Sequence, residues 1–367
     1  MSKLGIGIIG TGFGQLVHIP GFQASARTEV LAVYHRDLKK AQEVAKKFEV
    51  PQASDRLYDL YTNPEIQIIA ISTPPFLHYE AAKYALEAGK HILLEKPVTL
   101  NVSEAIALSQ LARQKELTVA VDFEFRFVPQ WLYLKHLLEQ EYIGKIRSVH
   151  ISWQVPGRAD PQRLWNWYSQ KSQGGGALGA IGSHTFDYVR WLFGDVRALT
   201  AQLKTTICQR PDPEGIMQTV DSDDTCNILL ELVNGIPCNI CLSTVAYAGS
   251  GHWLTIYGDR GTLVLGSSNL KDYIHGFNLS YAAPNQELEN IPIPPEYGLS
   301  QTYKDGRLAP FIALCDRFVS AIEHKIPMIP SLDEGIQSQL LMDLAHESHR
   351  SPKWINVNLG SLYKELE

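Results

Sequence analysis

Ala88-Gly89-Lys90-His91-Ile92-Leu93-Leu94-Glu95-Lys96-Pro97 is the stretch that decides how this 367-residue chain is read. A helical pattern stops at Gly89, a short apolar run follows, and a charged pair stands against a proline. A run of that kind is buried on both faces in a parallel sheet, so His91-Ile92-Leu93-Leu94 is expected in a core. Glu95 and Lys96 then fall at the carboxyl end of a strand, where open α/β sheets place their ligands. Pro97 biases Lys96 toward extended or turn backbone and ends the strand. An ammonium fixed at such a place polarises a carbonyl or stabilises an alkoxide. Taken alone, the same three residues also describe a surface ion pair closing a loop.

Working back toward the N-terminus, Leu4-Gly5-Ile6-Gly7-Ile8-Ile9 predicts a first strand running into Gly10-Thr11-Gly12-Phe13-Gly14-Gln15 and a helix. A dinucleotide turn asks for glycine at the tight bend, glycine where backbone meets pyrophosphate, and a small third residue for helix packing. Gly10 and Gly12 fill the first two places. Gln15 stands at the third, with Gly14 displaced by one. Pyrophosphate would rest on N–H groups at the helix start. A second strand ends in His35-Arg36-Asp37. His35 occupies the place of the acid expected in NAD sites, and Arg36 suits a 2′-phosphate, which favours NADP over NAD. An exposed arginine capping a loop is the other reading of Arg36. A further strand over 66–72 ends in Thr73-Pro74-Pro75-Phe76-Leu77-His78, so Thr73 and Pro74 are expected to border the cofactor. Helices over 39–48, 79–88 and 103–114 alternate with these strands and one over 118–121, which predicts a doubly wound parallel sheet.

The whole chain is 45% hydrophobic and 20% charged, an ordinary globular balance, and its length suggests two domains. We expect a Rossmann domain over 1–123 and an α+β domain with a large, mostly antiparallel open sheet over 124–367. A net charge of −6 leaves no basic footprint for nucleic acid. No apolar leader and no run of about 18 apolar residues occurs, so a soluble cytoplasmic protein without membrane contact is expected. Cys238-x-x-Cys241 has metal or redox spacing but no second pair, so the five cysteines are expected as reduced core thiols and no metal is expected. Asp221-Ser222-Asp223-Asp224 is expected to be a solvated strand start rather than a metal site.

In the second half, Phe123-Glu124-Phe125-Arg126-Phe127-Val128 alternates up to Pro129, and a helix follows over 131–139. Alternating strands are predicted over 146–154, 198–206, 225–233, 238–246, 253–257 and 262–265, joined as hairpins at Asn234-Gly235 and Gly258–Gly261. Helices are expected over 310–323 and 332–350. Arg158 through Trp165-Asn166-Trp167-Tyr168 sets aromatic faces beside hydrogen-bonding groups, which suits a polyol or sugar; a loop pinned by core tryptophans has the same composition. His184 is the proton-transfer candidate because an imidazole titrates near neutrality, although a helical histidine is also a common structural residue. Asp187, three residues on, shares its helix face.

Gly-x-Gly at the start, Thr-Pro-Pro-x-x-His, and Ala-Gly-Lys-His-x-x-x-Glu-Lys-Pro, at these intervals, resemble the glucose–fructose oxidoreductase/inositol dehydrogenase (Gfo/Idh/MocA) family over nearly the whole chain. The resemblance implies that Lys96 contacts nicotinamide and substrate hydroxyl, and that the Lys96–Pro97 bond is cis. It extends to Arg126-Phe127-Val128-Pro129 as the crossover between domains, and to Gly174-Gly175-Gly176 through His184 and Asp187. There Ala180 replaces the motif aspartate, which leaves proton transfer to Lys96 and His184. On this resemblance Gly10, Thr11, Gly12, Phe13, Gly14, Gln15, His35, Arg36, Thr73, Pro74, His78, Glu95 and Lys96 hold the cofactor. Lys96, Arg126, Trp167, Ser183 and His184 line the substrate. The implied activity is an NADP-dependent, alternatively NAD-dependent, dehydrogenase acting on a secondary alcohol of a sugar, cyclitol or related molecule. The alternatives are a dinucleotide-binding sensor without turnover and an NAD-assisted glycosidase. A homodimer or homotetramer through the open sheet is implied as well.

Overall fold

Six short runs build the sheet of the N-terminal region: β1 (Leu4–Ile9), β2 (Thr28–Tyr34), β3 (Gln52–Ser54), β4 (Ile68–Ile71), β5 (His91–Leu94) and β6 (Val119–Val121). Every neighbouring pair is parallel, in the order β3-β2-β1-β4-β5-β6. All four side chains of β4, and Ile92, Leu93 and Leu94 of β5, have no solvent exposure. Burial on both faces is what selects continuous apolar runs for the middle of such a sheet, each side chain contributing about 1.5–3 kcal/mol. The helix Leu38–Lys47 starts where Asp37 accepts from the Lys39 N–H, and the helix Val102–Gln114 where Asn101 accepts from Glu104. These caps satisfy N–H groups that a helix start leaves open. The order reverses between β1 and β4, the switch point at which doubly wound sheets open a crevice.

This computed structural model describes residues 3–358. Its described residues divide into two units, one holding 3–124 with Arg307–Gln339, the other holding Phe125–Gly306 and 340–358. The outermost parts of the two expected domains, residues 1–2 and 359–367, lie outside the described residues.

The second unit is built on a nine-stranded sheet. Its strands are β7 (Ile146–Gln154), β8 (Val196–Lys204), β11 (Thr225–Leu232), β12 (Pro237–Ser243), β13 (Gly251–Gly258), β14 (Thr262–Ser267), β15 (Asn278–Ala282), β16 (Glu289–Asn290) and β17 (Ile355–Asn356), with β9 (Gln209–Pro211) and β10 (Met217–Thr219) forming a separate small ribbon. The order is β16-β15-β14-β13-β7-β12-β11-β8-β17, antiparallel throughout except between β7 and β12. Both hairpins placed by sequence are present, β11–β12 across Asn234-Gly235 and β13–β14 across Gly258–Gly261. One face of the sheet packs on Leu134, Leu137, Phe186 and Val189 of the helices Pro129–Glu139 and Ser183–Phe193.

Several expectations are corrected. Phe123 to Val128 is not an extended run: Phe123 N–H closes on the Val121 carbonyl and Glu124–Phe127 makes a 3-10 turn, so the aromatic alternation serves packing. Asp223 and Asp224 are buried rather than solvated. Asp223 accepts from Leu178 N–H at 2.7 Å, and Asp224 accepts from Thr206 and Ile207. Their carboxylates replace water with backbone donors, which is the condition for burying charge. Of the cysteines, Cys226, Cys238 and Cys315 are buried free thiols, whereas Cys208 is exposed and Cys241 half-buried.

Candidate active site

The ends of β1, β4 and β5 lie side by side in the first unit, and each carries one predicted motif. After β1, Gly10 takes φ +108°, a backbone state that favours glycine, and its N–H donates to the Tyr34 carbonyl at the end of β2. A Cβ on Gly14 would come within 2.6 Å of Ser72 Oγ and 3.2 Å of an Ile8 methyl. Gly14 is therefore the close-packing glycine, and Gln15, the departure at the third position of the pattern, is half-buried on the turn beyond it. A Cβ on Gly12 would meet nothing within 4 Å, which leaves open space over the turn. The predicted helix begins as a π-type turn, Gly14–His18, before the α-helix Ile19–Ala24.

At the end of β4, Thr73 Oγ1 is buried and meets no partner among the described residues. An orphaned hydroxyl beside a glycine turn, with room above Gly12, is what a bound dinucleotide would complete. His78 behaves differently from its expected role. Its two ring nitrogens face the Thr73 and Pro97 carbonyls at 2.8 and 2.9 Å, so it braces the β4 end against the β5 end. Burial pulls its pKa down to about 4, outweighing the two carbonyls. At the end of β2, Asp37 N–H donates to His35 Nδ1, and Arg36 is exposed beside it. The acid of this segment is thus the helix cap, and the exposed Arg36 is next to it.

Lys96 is half-buried and its bond to Pro97 is cis. Glu95 turns inward: its Oε1 lies 2.9 Å from Nε2 of His18, a ring with no exposure. Asp122, just past β6, stands 3.7 Å from the same nitrogen. Burial pushes His18 down, yet the hydrogen bonds and charges of Asp122 and Glu95 prevail and hold it at about 9. Burial and the Glu95 charge push Asp122 above the usual carboxylate range; burial and the Asp122 charge do the same to Glu124, against the pull of Lys96. The His18 ring is stacked on Phe311 at 4.8 Å and meets Phe13 edge-on. Sequence reasoning missed His18, Asp122 and Glu124. Their only signal was polar residues inside apolar segments, one after the glycine turn and two after the last strand.

In the second unit, His184 is the second residue of the helix Ser183–Phe193, entered through a π-type turn, Leu178–Gly182, that contains Ala180. The residue is 4% exposed, and its ring meets Phe125 edge-on at 4.9 Å. Ser183 Oγ donates to the Gly179 carbonyl, a contact within its own turn. Arg126 closes on Asp187 with Nε and Nη2 at 2.9 and 2.7 Å, and its guanidinium sits over Trp191. The fork expected for substrate is thus engaged by the aspartate expected to orient His184, and the pair ties residue 126 to the histidine helix. Trp167 lies in a 3-10 turn beside Tyr168, half-buried.

A parallel sheet of this strand order, with a glycine turn at its switch point and a second unit on a large antiparallel sheet, defines a two-domain dinucleotide-binding oxidoreductase. Residues 4–123 match the NAD-binding Rossmann fold, and residues 135–357 the C-terminal alpha/beta domain, of one oxidoreductase family. The chain belongs to the Gfo/Idh/MocA oxidoreductase family. An uncharacterised oxidoreductase of Synechocystis sp. is 49% identical over 97% of this chain and 96% of its own. The levoglucosan dehydrogenase of Pseudarthrobacter phenanthrenivorans is 28% identical, covering 97% of this chain and 99% of its own. A solved levoglucosan dehydrogenase in complex with NADH and L-sorbose superposes with a TM-score of 0.88 at 26% identity, covering 97% and 99% of the two chains. No helix among the described residues is long and apolar enough to cross a membrane.

Proposed function

We propose that the protein is a nicotinamide-dependent dehydrogenase of a secondary alcohol or ketone on a sugar, cyclitol or related molecule. The observation that carries this reading is the alignment of three neighbouring strand ends: the Gly10–Gly14 turn, Thr73 with its orphaned hydroxyl, and Lys96. The nicotinamide, when bound, supplies the hydride acceptor or donor. Lys96 holds the substrate oxygen, and His184 takes or gives its proton. Likeness to levoglucosan dehydrogenase supports a sugar-like substrate. Following absorbance of reduced nicotinamide with each cofactor across a polyol panel tests this. Lys96→Ala should lower turnover by roughly 10²–10⁴, the usual size of a lost acid–base group; wild-type turnover refutes the role.

Arg36 supports NADP, while the NADH complexes of solved relatives support NAD. Arg36→Ala should weaken NADP binding and leave NAD binding unchanged; equal loss of both removes the phosphate role. Ala180 in the turn before His184 favours a second reading, a nucleotide-binding sensor. That protein would bind cofactor and polyol without turnover, and an NAD-assisted glycosidase would release product without net change in cofactor. The reading includes self-association through the outer face of the nine-stranded sheet, where Leu229 and Tyr257 are exposed, and light scattering of the purified protein tests it.

A further inference from the structure

Beyond β7 the chain keeps company with the end of β12: Val155 N–H donates to the Ser243 carbonyl and Arg158 N–H to the Thr244 carbonyl. Trp153, at the end of β7, lies 6.4 Å from the His184 ring. Arg158 is five residues further, no more than about 17 Å of extended chain. Its guanidinium carbon lies over the Tyr168 ring, 3.7 Å from the centroid. The platform under it is built. Ser222 Oγ donates to the Tyr168 carbonyl, and a Cβ on Gly175 would come within 2.2 Å of that same oxygen.

Two more arginines surround it and are engaged with backbone. Arg210, buried, donates to the Arg158 and Asp160 carbonyls, and Arg163 donates to the Gly157 carbonyl. Arg158 differs: among the described residues its guanidinium stacks on the ring and donates to no acceptor. Burial and the charges of Arg163 and Arg210 lower its pKa to about 10, so it stays cationic at neutral pH. Nearby Asp221 and Asp224 already accept backbone N–H groups. Stacking fixes the fork in one plane and leaves its edge to offer two parallel N–H donors, the geometry that matches a carboxylate or phosphate.

We propose that Arg158 on Tyr168 receives an anionic group, carboxylate or phosphate, of the substrate, so that the dehydrogenase works on an acidic or phosphorylated sugar. The inference rests on the dehydrogenase reading above and names its substrate class. Its test compares D-glucuronate, D-glucose 6-phosphate and D-glucose in wild-type protein, Arg158→Gln and Arg158→Lys. We expect kcat/KM for one of the two anions to exceed that of glucose by about 10²-fold. Arg158→Gln should abolish the preference by raising KM for the anion far more than KM for glucose, and Arg158→Lys should restore part of it. Whichever of glucuronate and the phosphate ester is preferred identifies the group. A wild-type preference for glucose, or an equal loss for charged and neutral sugars in Arg158→Gln, overturns the proposal. Calorimetric titration of the three sugars into cofactor-loaded protein separates the two readings. If no sugar turns over but an anion binds wild type and not Arg158→Gln, the site stands and dehydrogenation falls. Anion binding unaffected by the substitution, or absent, removes the site.

Discussion

The two units bury charge in opposite ways. In the second, Arg126 and Asp187 meet fork to fork, with 7% and 2% of their side chains exposed, and Nε and Nη2 each meet one carboxylate oxygen. In the first, one nitrogen of His18 faces two carboxylates, Glu95 at 2.9 Å and Asp122 at 3.7 Å. A closed pair has one charge state, and its use is placement. A crowded cluster has several states that differ by a proton, and it stands directly behind Lys96 in the chain. What the contrast teaches is that burial alone does not mark a reactive group: the ratio of cations to anions around it does.

Three experiments break or sharpen that contrast. The largest effect is expected at the closed pair. Asp187→Ala leaves the Arg126 cation buried without its partner and should cost about 3–5 kcal/mol in urea unfolding, whereas Arg126→Met with Asp187→Leu should recover most of it. An additive double mutant would show that the two charges do not act as a unit.

The cluster should instead write itself into the pH dependence. His18 is raised from 6.5 to about 9, so its contribution is complete below pH 6.5 and is lost as pH rises through 9. Asp122 and Glu124 are also raised, so they bind protons more readily folded than unfolded and push the same way. At about 1.4 kcal/mol per unit, His18 alone is worth up to roughly 3 kcal/mol across this window. Melting temperature should therefore fall from pH 7 to 9.5, and His18→Gln should flatten the slope. A wild-type melt indifferent to pH over that range would sink the account of the cluster.

The smallest effects separate two glycines in one turn. Gly14→Ala forces a methyl onto Ser72 and should cost about 1–3 kcal/mol of stability. Gly12→Ala meets nothing in the fold, so it should leave the melt unchanged and weaken nucleotide binding in a fluorescence titration. Reversed outcomes would mean the open space above Gly12 is not where the dinucleotide lies.

Much of the fold is legible because its patterns are local. β7 over Ile146–Gln154 and the helix Leu332–Arg350 fall where alternation and end signals put them. Gly10, Thr73 and Lys96 come to neighbouring strand ends because a parallel sheet aligns its carboxyl ends. The misreadings share a cause. Gly14 rather than Gln15 packs closely because Ser72, far away in sequence, supplies the obstacle. Asp223 and Asp224 read as solvated because their backbone donors, Leu178 and Thr206, are about 45 and 18 residues off. His18 carries no motif of its own: its meaning comes from Glu95 and Asp122, just past the ends of β5 and β6, which chain order alone does not bring to it.

Asp224 has a further consequence. It gathers Thr206 N–H, Thr206 Oγ1 and Ile207 N–H onto one oxygen, while its own N–H reaches the Lys204 carbonyl. The excursion between β8 and β11, with its small ribbon, is thus drawn shut at the neck like a purse. None of these neck bonds involves residues 212–216, so the tip of the excursion can change length and composition without opening it, while Arg210 keeps its hold on the Arg158 and Asp160 carbonyls.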